Sequence, residues 1–329
     1  MADGARFERR HGHRYILVVH TARRMVFQGA TESWCRPMVL ASSGRVVARA
    51  LVVVLAVLAT SCGVDDDGPT TIAVGTDNSE ESNLLAQIYS GALARAGART
   101  EVRGGFRPEQ LRRGLDAGDI QVTAAHSGAL LAELDSGAPQ RKPDKVMKAL
   151  SAALPEGLVV SDPADGTDMR PRLLVTAAEP VRTAAELIAR CPESTVGIAA
   201  QPGLLALPKG LAKLEGCEPA ATVALSDPAA LRTALRDGTI QVGLLAGPPI
   251  DPATTEGLVS LTDKEYLLRA EQIVPVFRKG ALDQRRVKKL NYVAGELNTA
   301  DLCEMIRRMR TERATAAELA VDWLDKHGL

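Results

Sequence analysis

At 329 residues the chain is long enough for about two domains. Its 40 basic and 40 acidic residues cancel, so no charge excess points to nucleic acid as a partner. Five cysteines are too few for a disulfide scaffold and match no zinc spacing; with five histidines and no G-x-S-x-G, H-E-x-x-H or P-loop motif, neither catalysis, a metal site nor a cofactor is expected.

Residues 38–62, MVLASSGRVVARALVVVLAVLATSC, have the layout of a secretion signal. Arg45 and Arg49 form the basic region, residues 50–58 a short apolar core, and small residues precede Cys62. That span is short for a membrane-crossing helix. Its end resembles a bacterial lipobox, with Ala59 where leucine is usual. Cys62 is then the lipidation site, and the protein is tethered by lipid to the extracytoplasmic face of the cell membrane. A plain anchor helix with a chance cysteine is the competing reading. Residues 63–69 make a polar linker. Residues 1–37 are basic and unpatterned; a start codon placed too early explains them, and a cytoplasmic tail is the alternative.

From residue 70 strands and helices alternate. TTIAVG (70–75) is a strand ending in glycine, and Asn78 and Glu81 have capping-box spacing for a helix that buries Leu84, Leu85, Ile88 and Tyr89. A strand at 99–102 follows. Then comes PEQLRRGLDAGDIQVTAAHSG (108–128), a stretch the chain uses twice, the second time as PAALRTALRDGTIQVGLLAG (228–247). Proline opens each copy, leucines four apart define one apolar face, glycine stops the helix, and a buried strand follows. Between the copies lie helices at 127–134 and 146–154, strands at 157–160, 172–177, 194–200 and 221–225, and helices at 183–191 and 204–214. Strands at 257–261 and 272–277 and helices at 283–297, 300–310 and 316–326 complete the chain.

Two copies so far apart predict two similar α/β lobes rather than a solenoid. The carboxyl ends of their strands then face one crevice, where open α/β sheets bind ligands. Ala124, Ala125 and His126 line it from one lobe, Leu245, Ala246 and Gly247 from the other. Two readings of His126 stand: a ligand contact, or a hydrogen-bonded structural residue. Asn78, Glu80 and Glu81 either only cap their helix or surround a helix N-terminus that attracts an anionic group. In an exported protein Cys191 and Cys217 are expected to form a disulfide, leaving Cys303 as a small buried hydrophobe.

Several stretches together resemble the substrate-binding proteins of ABC importers for glycine betaine, choline and related osmoprotectants: IAVGTDNSEESNLLAQIYSGAL, LRRGLDAGDIQVTAAHSGALL, SLTDKEYLLRAEQIVPVFRKG and AAELAVDWLDKHGL. The resemblance implies an α/β fold of periplasmic-binding-protein type II, two doubly wound lobes joined by two crossing strands. Lobe 1 would hold 70–171 and 276–329, and lobe 2 would hold 172–275. It also implies a small-molecule solute and an ABC permease as partners. The family holds quaternary ammonium groups in a box of tyrosines, each ring giving about 0.5–2 kcal/mol. Here the box positions become His126, Pro171, Ala246 and Glu271, while Asp77 stands where lysine is common and Ser82 where glutamine is. Of the aromatics beyond residue 70, Tyr89, Tyr292 and Trp323 sit on helix patterns as core, leaving Phe106, Tyr266 and Phe277. The candidate ligand set is Thr76, Asp77, Asn78, Glu80, Glu81, His126, Ser127, Ala246, Gly247 and Glu271. Asp77 and Glu271 would select a cation bearing N–H donors, or lie solvated on the rim. The expected function is a receptor delivering a small polar, cationic or zwitterionic solute to a permease; a non-transport lipoprotein with a degenerate cleft is the alternative.

Overall fold

The structure is a computed structural model that describes residues 71–205 and 215–329; the signal sequence with Cys62, the linker and most of the helix expected at 204–214 lie outside the described residues. Lobe 1 contains β1 (Ile72–Gly75), β2 (Thr100–Arg103), β3 (Val122–His126), β4 (Leu158–Val160) and the late strand β10 (Ile273–Arg278), in the order β2-β1-β3-β10-β4. Lobe 2 contains β5 (Arg172–Thr176), β6 (Thr195–Ala200), β7 (Ala221–Leu225), β8 (Val242–Ala246) and β9 (Leu258–Ser260), in the order β7-β6-β8-β5-β9. The two sheets have one plan. Three strands are parallel, and β10 in lobe 1 or β5 in lobe 2 runs antiparallel to both of its neighbours.

The sequence repeat builds equivalent locks in the two lobes. Its helices are α2 (Pro108–Ala117) and α6 (Pro228–Arg236). In lobe 1 the Gln121 side chain accepts from the Ala73 N–H at 2.8 Å and donates to the Gly118 carbonyl at 2.8 Å. In lobe 2 Gln241 accepts from Thr195 N–H at 2.9 Å and donates to the Gly238 carbonyl at 3.1 Å. One side chain thus ties a helix end to the start of a neighbouring strand. Beside each lock the isoleucine of the repeat, Ile120 or Ile240, packs onto a strand glycine, Gly75 or Gly197, where a Cβ would overlap its Cδ1. Here glycine serves close packing rather than a special backbone angle.

The strands expected to run between the lobes each belong to one sheet. The crossings themselves are irregular segments, 161–171 and 261–272. Arg170 clasps them together, pairing with Asp168 at 2.9 Å on its own crossing and Asp263 at 3.2 Å on the other, with the Tyr266 ring centroid 4.6 Å away.

Lobe 1 further contains α1 (Glu80–Arg95), α3 (Ser127–Leu134) and α4 (Pro143–Ala153); lobe 2 has α5 (Ala184–Arg190). The chain returns to lobe 1 through α7 (Gln284–Glu296), α8 (Thr299–Thr311) and α9 (Ala316–Lys326), which pack their apolar faces around α1 in one core with Leu84, Ile88, Tyr89 and Trp323. Tyr292, expected in that core, lies on the outer face of α7 and is exposed. In lobe 2 Cys191 and Cys217 are bonded and buried, with Cα atoms 5.5 Å apart, and Cys303 is free on α8.

Candidate functional site

The turn after β1 sets the site. The capping pair expected at Asn78 and Glu81 does not form. Ser79 is the N-cap of α1, its Oγ accepting from Ser82 N–H at 3.1 Å. The Asp77 carboxylate holds Ser79 in place, accepting from its N–H at 2.7 Å and its hydroxyl at 2.6 Å. Thr76 and the Asp77 N–H bond to the Ser82 hydroxyl at 3.0 and 3.1 Å. With the cap one residue later than expected, Glu81 falls on the inward face of α1 and Asn78 is left exposed.

Glu81 is wholly buried, and its two oxygens have different partners. Oε1 lies 2.8 Å from Nε2 of His126, at the end of β3. Oε2 accepts at 2.6 Å from the N–H of Leu205 in lobe 2, and the Glu81 N–H donates to the Gly203 carbonyl at 2.9 Å. The two lobes therefore touch at this carboxylate. Around it Leu204 and Ile250 of lobe 2 join the core of lobe 1. Glu80 pairs with Arg310 at 2.5 Å, and Arg310 also reaches the Pro202 carbonyl at 2.5 Å.

Desolvation pulls the His126 pKa down, but the charge and hydrogen bond of Glu81, with Glu271 and Asp77 behind it, outweigh burial and raise it. His126 Nδ1 is buried without a hydrogen-bond partner among the described residues, and so is Gln201 Oε1 in lobe 2.

Glu271 does not face the crevice as a free carboxylate. It is 2% exposed and receives the backbone N–H groups at the start of α3, with Ala129 at 2.9 Å. Gly128 lies so close that a Cβ there would overlap the Ala270 carbonyl and Glu271. Ser127 closes the same junction by accepting from Gln272 N–H at 3.0 Å. Asp77 and Glu271, expected to select a cation, each already have an internal partner, and so do Glu80 and Glu81. Ala246 and Gly247 end β8 beside Gln201 and Leu204, Gly247 with φ +126°. The segment 201–205 carries lobe 2's share of the junction, and its residues 204 and 205, expected to open a helix, are irregular. The signal for that role was available: the segment follows β6, the counterpart of β1 under the internal repeat.

Burial raises the Glu271 pKa from 4.5 to about 7, against lowering by His126 and the α3 amides. Between those pH values the folded chain keeps a proton that the unfolded chain releases, so stability falls as pH rises through the window, by about 3 kcal/mol. Urea unfolding between pH 4.5 and 8 should show this decline, and Glu271→Gln should flatten it. Equal slopes in the two proteins would refute the assignment.

Two cavities adjoin the junction. One, of 530 Å³, lies in lobe 1 beside His126 and includes Leu205; the other, of 380 Å³, follows the polar turn from Thr76 to Glu80. Among the described residues, no phenyl, phenol or indole ring lines either of them.

A family model for the substrate binding domain of ABC-type glycine betaine transport systems matches residues 70–326. No curated relative matches the sequence at a significant level. Among solved structures, the chain is similar to a glycine betaine/carnitine/choline ABC transporter protein at 16% identity and TM-score 0.62, over 78% of this chain and 98% of that one. Apo YehZ from Escherichia coli aligns at 16% identity and TM-score 0.58, covering 79% and 99%. A choline binding protein of an ABC transporter, in complex with choline, aligns at 14% identity and TM-score 0.50, covering 80% and 91%. At these identities the likeness speaks for the fold.

Proposed function

Because the chain belongs to the family of substrate-binding domains of ABC-type glycine betaine transport systems, we propose that it captures a small polar organic solute outside the cytoplasm and delivers it to a membrane permease. The observation that carries this reading is the junction at Glu81, where the strand ends of lobe 1 meet the segment 201–205 of lobe 2. Hinge closure about the two crossings would enclose the solute there. His126 Nδ1 from one lobe and Gln201 Oε1 from the other are the groups left for it to satisfy. The same arrangement disfavours a cleft kept only as an interaction surface, because buried polar atoms without partners are costly unless something meets them.

The quaternary amines named for its relatives are poor ligands on this reading. A trimethylammonium group is held by the faces of phenyl, phenol or indole rings, and among the described residues neither cavity has one. Calorimetry with glycine betaine and choline should give dissociation constants above about 1 mM, corresponding to less than about 4 kcal/mol of binding. Micromolar binding of either would overturn the ligand assignment. The receptor role itself is tested by cross-linking in membranes: an ABC permease subunit should be recovered with the chain, and recovery without one would count against it.

Lipid attachment at Cys62 belongs to the same proposal. Cys62→Ser should move the protein from the membrane fraction to the soluble one; unchanged retention would favour a plain anchor helix. Two chain-specific tethers are thereby separated by one substitution.

A further inference from the structure

The 530 Å³ cavity of lobe 1 lies between α2 and α3, and its walls are aliphatic: Leu111 and Leu115 from α2, Leu130 from α3, with Leu154 and Val276 below. Ala125 and Ala129 leave the space open where larger side chains would fill it. Leu205 of lobe 2 closes one end, on the same residue whose N–H is held by Glu81. At another point of the rim Arg112 of α2 pairs with Glu133 of α3 at 2.9 Å, spanning the two helices. His126 is the buried polar vertex, its Nε2 committed to Glu81 and its Nδ1 to no partner. The volume lies within the range of small-molecule sites, and its leucine walls favour an apolar body.

From this geometry we infer that the transported solute has an aliphatic body, seated in the lobe 1 cavity, and an uncharged oxygen head that meets His126 Nδ1. The inference rests on the receptor reading above and narrows its solute class. A hydroxyl head fits the histidine in either protonation state, accepting from Nδ1–H or donating to the bare nitrogen. A carboxylate head would be a charge taken out of water among leucines, beside a His126 ring whose Nε2 already serves the Glu81 carboxylate. An ammonium head cannot accept a hydrogen bond and would face the Nδ1–H of a charged ring.

The probes are 1-butanol, 1-pentanol, 1-hexanol, hexanoate and hexylammonium, titrated into the purified chain by calorimetry. Affinity should rise about fourfold for each methylene from butanol to hexanol. Hexanol should bind at least tenfold more tightly than either charged six-carbon analogue. Ala129→Leu, which fills the cavity from α3, should weaken hexanol at least tenfold. As a measurement that needs no variant, nuclear Overhauser contacts from hexanol should reach the Ala125 and Ala129 methyl groups. A flat methylene series, a preference for either charged analogue, undiminished binding to the leucine variant, or contacts located elsewhere would each overturn the inference. Such failure would leave recovery of the permease untouched, and loss of the permease with hexanol bound would fault the receptor reading instead.

Discussion

Glu81→Ala should cost about 3–5 kcal/mol of stability, the effect of removing one partner from a buried, hydrogen-bonded pair. The substitution strands two groups at once: His126 Nε2 and the Leu205 N–H of the other lobe. Each loses its only acceptor among the described residues, and His126 stays out of water. Glu81→Gln keeps an oxygen for Leu205 and a group within reach of His126, so its cost should be smaller, about 1–2 kcal/mol. Urea unfolding at pH 7 measures both. The charge-specific part has its own readout. His126 titrates above its ordinary 6.5 because of Glu81, and without that charge burial should carry it below. The pair's contribution is therefore fully present below pH 6.5 and fades as pH rises through the raised value. A loss under about 1 kcal/mol in Glu81→Ala, with His126 unmoved in its nuclear magnetic resonance titration, would show that the junction is solvated and weak.

Breaking the Cys191–Cys217 bond should cost lobe 2 about 3–4 kcal/mol, the chain-entropy value for a loop closed over a separation of 26 residues. Both cysteines sit in the lobe 2 core with Leu187, Val196 and Val242, so alanine at both positions also removes packed sulfur. Between them run β6 and the segment 201–205, whose N–H and carbonyl groups reach Glu81. Reduction therefore loosens the stretch that joins the lobes as well as lobe 2 itself. Calorimetric unfolding with and without reductant, beside the double variant Cys191→Ala/Cys217→Ala, gives the magnitude. Alkylation of all three described cysteines without prior reduction would contradict the bond.

Elements and their order were readable because their causes are local. Proline at a first turn, leucines four apart and a stopping glycine act within one repeat copy, and α2 and α6 follow from them. The repeat also contained Gln121 and Gln241, yet their work was not legible. Each accepts from a strand whose position is known only after the sheet forms, 48 and 46 residues away in sequence. The site was harder for the same reason. Glu271 reads as a charge near a crevice, whereas its partner is a helix start 142 residues earlier. Thr183 and Thr315 form capping boxes with Glu186 and Glu318, three residues on, because nothing nearby competes for the cap. At α1 the competitor was Asp77, which fixes Ser79 as the cap and so sends Glu81 inward. A shift of one residue there changes which carboxylate meets His126.

β10 lies between β3 and β4 in the lobe 1 sheet, although it is the last strand in the chain. A polypeptide threaded N-terminus first thus holds every strand of lobe 2, β5 to β9, before lobe 1 has the strand that joins β3 to β4. Until residues 273–278 emerge, β4 has no neighbour and β3 keeps an open edge able to pair with other chains. The lobe begun first is the lobe finished last, and its fate during delivery depends on whatever guards that edge in the meantime.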